Sequence, residues 1–292
     1  MSSIVLPLLV IVRLTLLDAF RRRILWVLFL LTVVVVWLSG LGFERLVTLA
    51  RDNGSSELTI QLGVSQMLIV VAFMFSFILA MTAAFIGAPA VSADIESGVL
   101  LAILARPIGR STFLVGRWLG LVIVAASYAL ASGLLEIGAM KLASGYGPPD
   151  PLGAAGAIAL QAVLILSLTL FFSTRLPSIA GGAIAVVLFG LCWMAGVLGG
   201  LGVFFKADLV EQIAAISRVL LPTDGIWRGA IFALEPPVVI AVASETGRSS
   251  EQLAANPFYA STGLSPVYLG WVGAWLVIVL GLAVLSFRRR EL

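Results

Sequence analysis

Charged residues able to bind or catalyse are scarce in this chain, and two acids and two arginines crowd between Ser92 and Arg110, between two apolar stretches. Asp94 and Glu96 stand near the start of that stretch and Arg106 and Arg110 near its end, with Gly98 and Pro107 between them. Carboxylates at one end and guanidiniums at the other fix the direction in which another protein docks, which gives specificity more than affinity. The flanking sequence is lipid-soluble, and a connection that only reversed direction would need far less polar chemistry. The stretch therefore reads as a contact for a second protein.

Its local pattern predicts a short helix. Pro89 ends or kinks the preceding helix. Ser92 or Asp94 can cap a new one, with the two acids at its positive end. Ile95, Val99, Leu100, Ile103 and Leu104 form an apolar stripe, and Pro107 closes the segment. The expected element lies parallel to a membrane surface, acidic at its start and basic at its close.

Catalysis has little to work with. No G-x-x-x-x-G-K-[ST] motif exists, since the only lysines are Lys141 and Lys206 and neither follows a glycine-rich loop. There is no histidine, the single cysteine, Cys192, lies in an apolar run, and G-x-S-x-G is absent. No catalytic residue or metal site is expected. Glu136 is the one carboxylate set within an apolar span. An ionisable group there is costly and calls for a role. Two readings stay open: a substrate or proton site, or a side chain at the outer interface that snorkels beside Lys141.

Two G-x-x-x-G pairs, Gly116/Gly120 and Gly196/Gly200, let helices approach closely. Each fits a seam between subunits or packing inside one chain, and the second is the candidate dimer seam.

The elements that must position these groups follow from composition. The chain is 61% hydrophobic and 11% charged, with a mean hydropathy of +1.13; soluble domains hold about 45–50% apolar and about 25% charged residues. Six uncharged stretches approach the roughly 20 residues that cross a bilayer. They predict spans at 24–42, 62–90, 114–138, 152–174, 178–204 and 266–287. The expected fold is an all-α polytopic membrane protein in one domain over 1–292. Arginines at positions 13, 21–23, 106, 110, 117, 175 and 288–290 share one side, which places both termini and the 91–111 loop in the cytoplasm. The net charge of +3 is ordinary for such a topology and indicates no nucleic-acid partner.

Residues 1–23 read as a cytoplasmic interfacial helix leading into an uncleaved anchor, with Val5, Leu8, Leu9, Val12, Leu16 and Phe20 at helical spacing. Glu44–Glu57 reads as a polar loop. The 205–265 segment is expected outside, where Leu209, Ile213, Ile216 and Leu220 mark an amphipathic helix resting on the outer surface. Thr223-Asp224-Gly225 offers another helix start, and the run from Ile231 to Ala243 packs against the outer ends of the bundle. Few lysines amid heavy Ala, Leu, Gly and Arg usage suggest a GC-rich prokaryote.

The order Asp94-x-Glu96-x-Gly98-x-Leu100-Leu101, then Leu104-x-Arg106-Pro107-x-x-Arg110 and Gly116-Arg117-Trp118-Leu119-Gly120, resembles the cytoplasmic loop of ABC-2-type transporter permeases. Within them it is most similar to the small permeases that include the one serving nitrous-oxide reductase maturation. Val99 stands where threonine is common, and Arg117 where lysine is common. The resemblance implies a coupling helix that docks into a separate ATP-binding subunit, with Asp94, Glu96, Gly98, Arg106, Pro107 and Arg110 at or near the contact. It implies two copies of that subunit, which bind ATP and Mg, and a second copy of this permease or a close paralogue. An exporter in the prokaryotic inner membrane, with room for an extracytoplasmic accessory protein, is the expected machine. An ATPase-independent secondary transporter or channel, or a scaffold or receptor without transport, is the competing expectation.

Overall fold

A computed structural model describes residues 2–21, 23–100, 109–239, 252–253 and 255–290. The helices are α1 (Ser2–Arg21), α2 (Arg23–Asp52), α3 (Glu57–Gly87), α4 (Pro89–Glu96), α5 (Arg110–Ser144), α6 (Pro151–Ser173), α7 (Ser178–Phe205), α8 (Asp208–Leu220), α9 (Thr223–Leu234) and α10 (Pro266–Arg288). Six are long and apolar enough to cross a bilayer: α2, α3 continued by α4, α5, α6, α7 and α10. The chain is thus an all-α polytopic membrane protein. With no water in hydrocarbon to satisfy the backbone, helices close their own hydrogen bonds.

α6 is the hub. It is apolar all round, which marks a helix buried on every side, and α3, α5, α7, α9 and α10 surround it. Its few polar side chains are tied inward. Gln161 accepts from Ser76 Oγ (2.9 Å) and donates to the Thr223 carbonyl (3.4 Å), and Ser167 Oγ accepts from Trp118 Nε1 (2.9 Å). Asp150 caps the helix by accepting from Gly153 N at 2.8 Å, and Pro151 fills its first position, where no amide hydrogen is needed.

α1 lies across the start of α5. The Gly116/Gly120 pair makes this approach possible: a Cβ at Gly116 would sit 2.9 Å from Ile11 Cβ, and one at Gly120 2.7 Å from Thr15 Cβ. Phe287, near the end of α10, faces Phe113 at 6.2 Å between ring centroids, so the first and last helices meet the same end of α5. We call this the basic end.

Two expectations are corrected. The polar loop over Glu44–Glu57 is mostly helix, because α2 runs on to Asp52; Phe43 and Val47, one turn apart and both buried, continue its inward stripe. The amphipathic segment at 208–220 does not rest flat on the surface either. After Lys206, which takes a left-handed conformation, α8 folds back antiparallel along α7, with Ala214 against Gly199 and Glu211 against Gly202. Its apolar stripe, Leu209, Ile213, Ile216 and Leu220, faces outward.

α9 then turns back among α3, α6 and α7, burying Ile226, Trp227, Ala230, Ile231 and Leu234. Terminal carbonyls of such a hairpin need partners. Trp271 Nε1 donates to Val219 O (3.2 Å), Trp275 Nε1 to Leu220 O (2.7 Å) and Tyr268 Oη to Pro222 O (3.2 Å). At the far end of α9, Tyr146 Oη donates to Leu234 O (2.8 Å) and Asp150 N to Ala233 O (3.0 Å). The part of the Ile231–Ala243 run beyond Val239 lies outside the described residues.

Candidate coupling site at the basic end

α3 stops at Gly87, where a Cβ would press on Leu166 Cδ1 at 3.1 Å, and Pro89 opens α4. The short helix begins earlier than the sequence suggests. Ser92 is inside it, donating to Ala88 O (2.9 Å) and sharing a 2.6 Å hydrogen bond with Ser178 at the start of α7. Asp94 and Glu96 therefore occupy its last turn rather than its first. Gly98 follows with φ 71, a left-handed turn that side chains resist. Val99 and Leu100 resume helical geometry, with Leu100 buried. Ile103, Leu104, Arg106 and Pro107 lie outside the described residues.

α4 is fastened on two sides. Arg117 Nε donates to Ala90 O (3.2 Å), its Nη2 lies 3.3 Å from Asp94 Oδ2, and its Nη1 lies 3.8 Å from Asp18 Oδ2 on α1. One guanidinium thus gathers α1, α4 and α5, while the serine pair adds α7. What projects is the turn: Glu96, Ser97, Gly98 and Val99 are exposed, whereas Asp94 is half-buried.

Arg110 sits elsewhere in the same end. Its Nη1 donates to the carbonyls of Phe287 (3.4 Å), Arg288 (3.2 Å) and Arg290 (2.6 Å), neutralising the negative end of α10. Arg290 Nη1 reaches Thr174 O (2.5 Å) and Arg175 Nε reaches Ser286 Oγ (2.9 Å), so the α6–α7 connection holds the same terminus. The loop, the α6–α7 hairpin and the chain end form one clamp.

A profile for the ABC-2 family transporter proteins matches residues 9–292. The chain belongs to the ABC-2 transporter family. No curated protein matches it in sequence. As an ABC-2 family member with six membrane-crossing helices, it is a multi-pass membrane transport component.

The remaining candidates sit apart from this end of the ABC-2 bundle. Glu136 is 2% exposed in α5; neither carboxylate oxygen makes a hydrogen bond of ordinary geometry among the described residues, and the Ser39 hydroxyl is the polar group beside it. Lys141 is exposed and makes no ion pair with it among those residues. Gly196 serves packing inside the chain: a Cβ there would run into the Asp224 carboxylate. Gly200 is buried and lines a cavity of about 400 Å³ with Arg218 and Arg228.

Sequence reasoning missed that Asp224 is a buried hub. It accepts from Arg218 Nε (2.7 Å) and Arg228 Nε (3.4 Å), and Arg228 Nη2 donates to Gly196 O (2.9 Å). Its Thr-Asp-Gly setting reads as an ordinary helix start. The i,i+4 spacing of Asp224 and Arg228 was the available signal. In the sequence Arg117 counts only toward the orientation and as a departure from lysine, and nothing marks Asp18.

Proposed function

We propose that this chain is the permease subunit of an ATP-driven transporter, paired with a second permease copy and driven by two copies of a separate ATP-binding subunit. That subunit binds ATP and Mg; this chain supplies the path. The basic end faces the cytoplasm, since arginine is enriched on that side of membrane proteins. The partner docks on the turn after α4, at Glu96, Ser97, Gly98 and Val99, with Arg106 and Pro107 in the same contact set. Asp94 positions that turn from inside, and Arg110 holds the end of α10 at the same end of the bundle.

The observation that carries this reading is the fastening of α4. A partner that changes shape with nucleotide must push on an element with stiff connections. Displacement of the Glu96–Val99 turn passes through Arg117 to α1 and α5, through Ser178 to α7, and through the covalent link to α3. The resulting shift of α3 and α7 against their counterparts opens or squeezes the substrate path.

The test is reconstitution with the ATP-binding subunit. Glu96→Arg, an exposed charge reversal that leaves the fold intact, lowers complex formation and permease-stimulated ATP hydrolysis by about tenfold, the size of one charge-pair contribution at an interface. Unchanged assembly and hydrolysis in that variant would remove the proposal, as would transport by this chain alone in vesicles without nucleotide.

A further inference from the structure

At the basic end a cavity of about 370 Å³ lies among α1, α2, α3 and α5. Its walls are hydrocarbon, among them Leu28, Phe85, Leu121 and Val124. Phe85 is 56% exposed, so the α3 wall opens sideways toward lipid. The volume falls in the range of small-molecule sites.

One end of this apolar chamber carries two opposite charges, Asp18 and Arg117. Their closest approach, 3.8 Å from Nη1 to Oδ2, is beyond hydrogen-bonding range. Arg117 Nε and Nη2 are committed to Ala90 O and Asp94. Among the described residues, Nη1 donates no hydrogen bond and the Asp18 carboxylate accepts none. A carboxylate with open acceptors therefore stands beside a guanidinium nitrogen with open donors, at the mouth of a hydrocarbon slot.

We propose that this site binds a bilayer phospholipid with a primary-amine headgroup. One acyl chain fills the chamber, the ammonium rests on Asp18 and the phosphate on Arg117 Nη1. The two headgroup charges, joined by a two-carbon link, then complete an alternating row with the two side chains. A primary ammonium offers three N–H donors to Asp18, whereas a quaternary one offers none. Arg21, exposed at the end of α1, adds attraction for phosphate at that membrane surface. The seated lipid braces α1 against α3.

The test places the full-length chain in bilayers holding equal phosphatidylethanolamine and phosphatidylcholine, extracts it in mild detergent, and weighs the retained lipid by native mass spectrometry. Wild type keeps the ethanolamine lipid over the choline lipid by about tenfold, as one charge-assisted hydrogen bond provides. Asp18→Asn, a change at a side chain 59% exposed, retains lipid at near parity. Stepwise N-methylation of the headgroup, which requires no variant, weakens retention by wild type as donors are lost. Equal retention of both lipids by wild type, no retained lipid, or an ethanolamine preference that survives Asp18→Asn overturns the proposal.

Discussion

Arg117 Nη2 lies 3.3 Å from Asp94 Oδ2, so the last turn of α4 is bonded to the second turn of α5. Both side chains are mostly shielded, at 16% and 20% exposure, which lifts the pair above the surface ion pairs that contribute almost nothing. Asp94→Ala and Arg117→Ala should each destabilise the chain by about 1–3 kcal/mol. In a double-mutant cycle the two should couple by about 0.5–2 kcal/mol. Chemical unfolding in mixed micelles measures both. Strict additivity would mean that α4 is held by something else.

Asp224 is 4% exposed and shared by Arg218 and Arg228. Removing the acid leaves two guanidiniums facing each other in a shielded place, and breaking such a pair costs about 3–5 kcal/mol. Asp224→Ala should therefore lower the melting temperature far more than Arg218→Ala, whose side chain is 31% exposed. Gly196→Val should match Asp224→Ala, because its side chain would occupy the carboxylate's position. A melting series on purified protein decides this; a mild Gly196→Val would show that the α8–α9 hairpin can slide along α7.

The six-span architecture was legible because hydropathy over some twenty residues is a strong signal, and six helices are long and apolar enough to cross a bilayer. Boundaries were less so. Glu44 and Arg45 looked like loop residues, yet the helix continues through them, with Phe43 and Val47 buried on its inward face. The α8 stripe was read correctly as amphipathic, but its partner was not. Close packing on α7 depends on Gly199 meeting Ala214, and small residues give no hydrophobic signal. At the basic end the acids and arginines were visible in sequence. Their pairing was not, because Arg117–Asp94 and Arg110 with the α10 carbonyls join positions far apart in the chain.

Glu235, at the far end of α9, is buried beside Tyr146 and Tyr259. Burial pushes its carboxyl up to about 7, with the Ala260 backbone hydrogen bond working the other way. The neutral form is thus favoured in the folded chain. Stability from this group is complete below about pH 4.5 and falls as pH rises through about 7. Amides around Phe258–Ala260 should exchange with solvent more readily at pH 8 than at pH 5, after correction for intrinsic rates. Glu235→Gln should flatten that dependence. A wild-type profile without slope between those values would refute the assignment.

The seat of α1 on α5 rests on two missing side chains. A branched residue at Gly120 cannot be absorbed by a flexible tip, since the atom it meets is Thr15 Cβ, next to the backbone. Gly120→Leu should therefore lift α1 from α5 while the spans stay folded. Gly138→Leu, where nothing lies within 4 Å, should leave α1 in place. Ile11, 7% exposed in wild type, reports the difference when replaced by cysteine in a Cys192→Ser background. Its reaction with a water-soluble maleimide should speed up by about tenfold or more in Gly120→Leu, as expected for a locally opened element. Equal labelling in the two glycine variants would show that α1 is held by the bilayer surface instead of by α5.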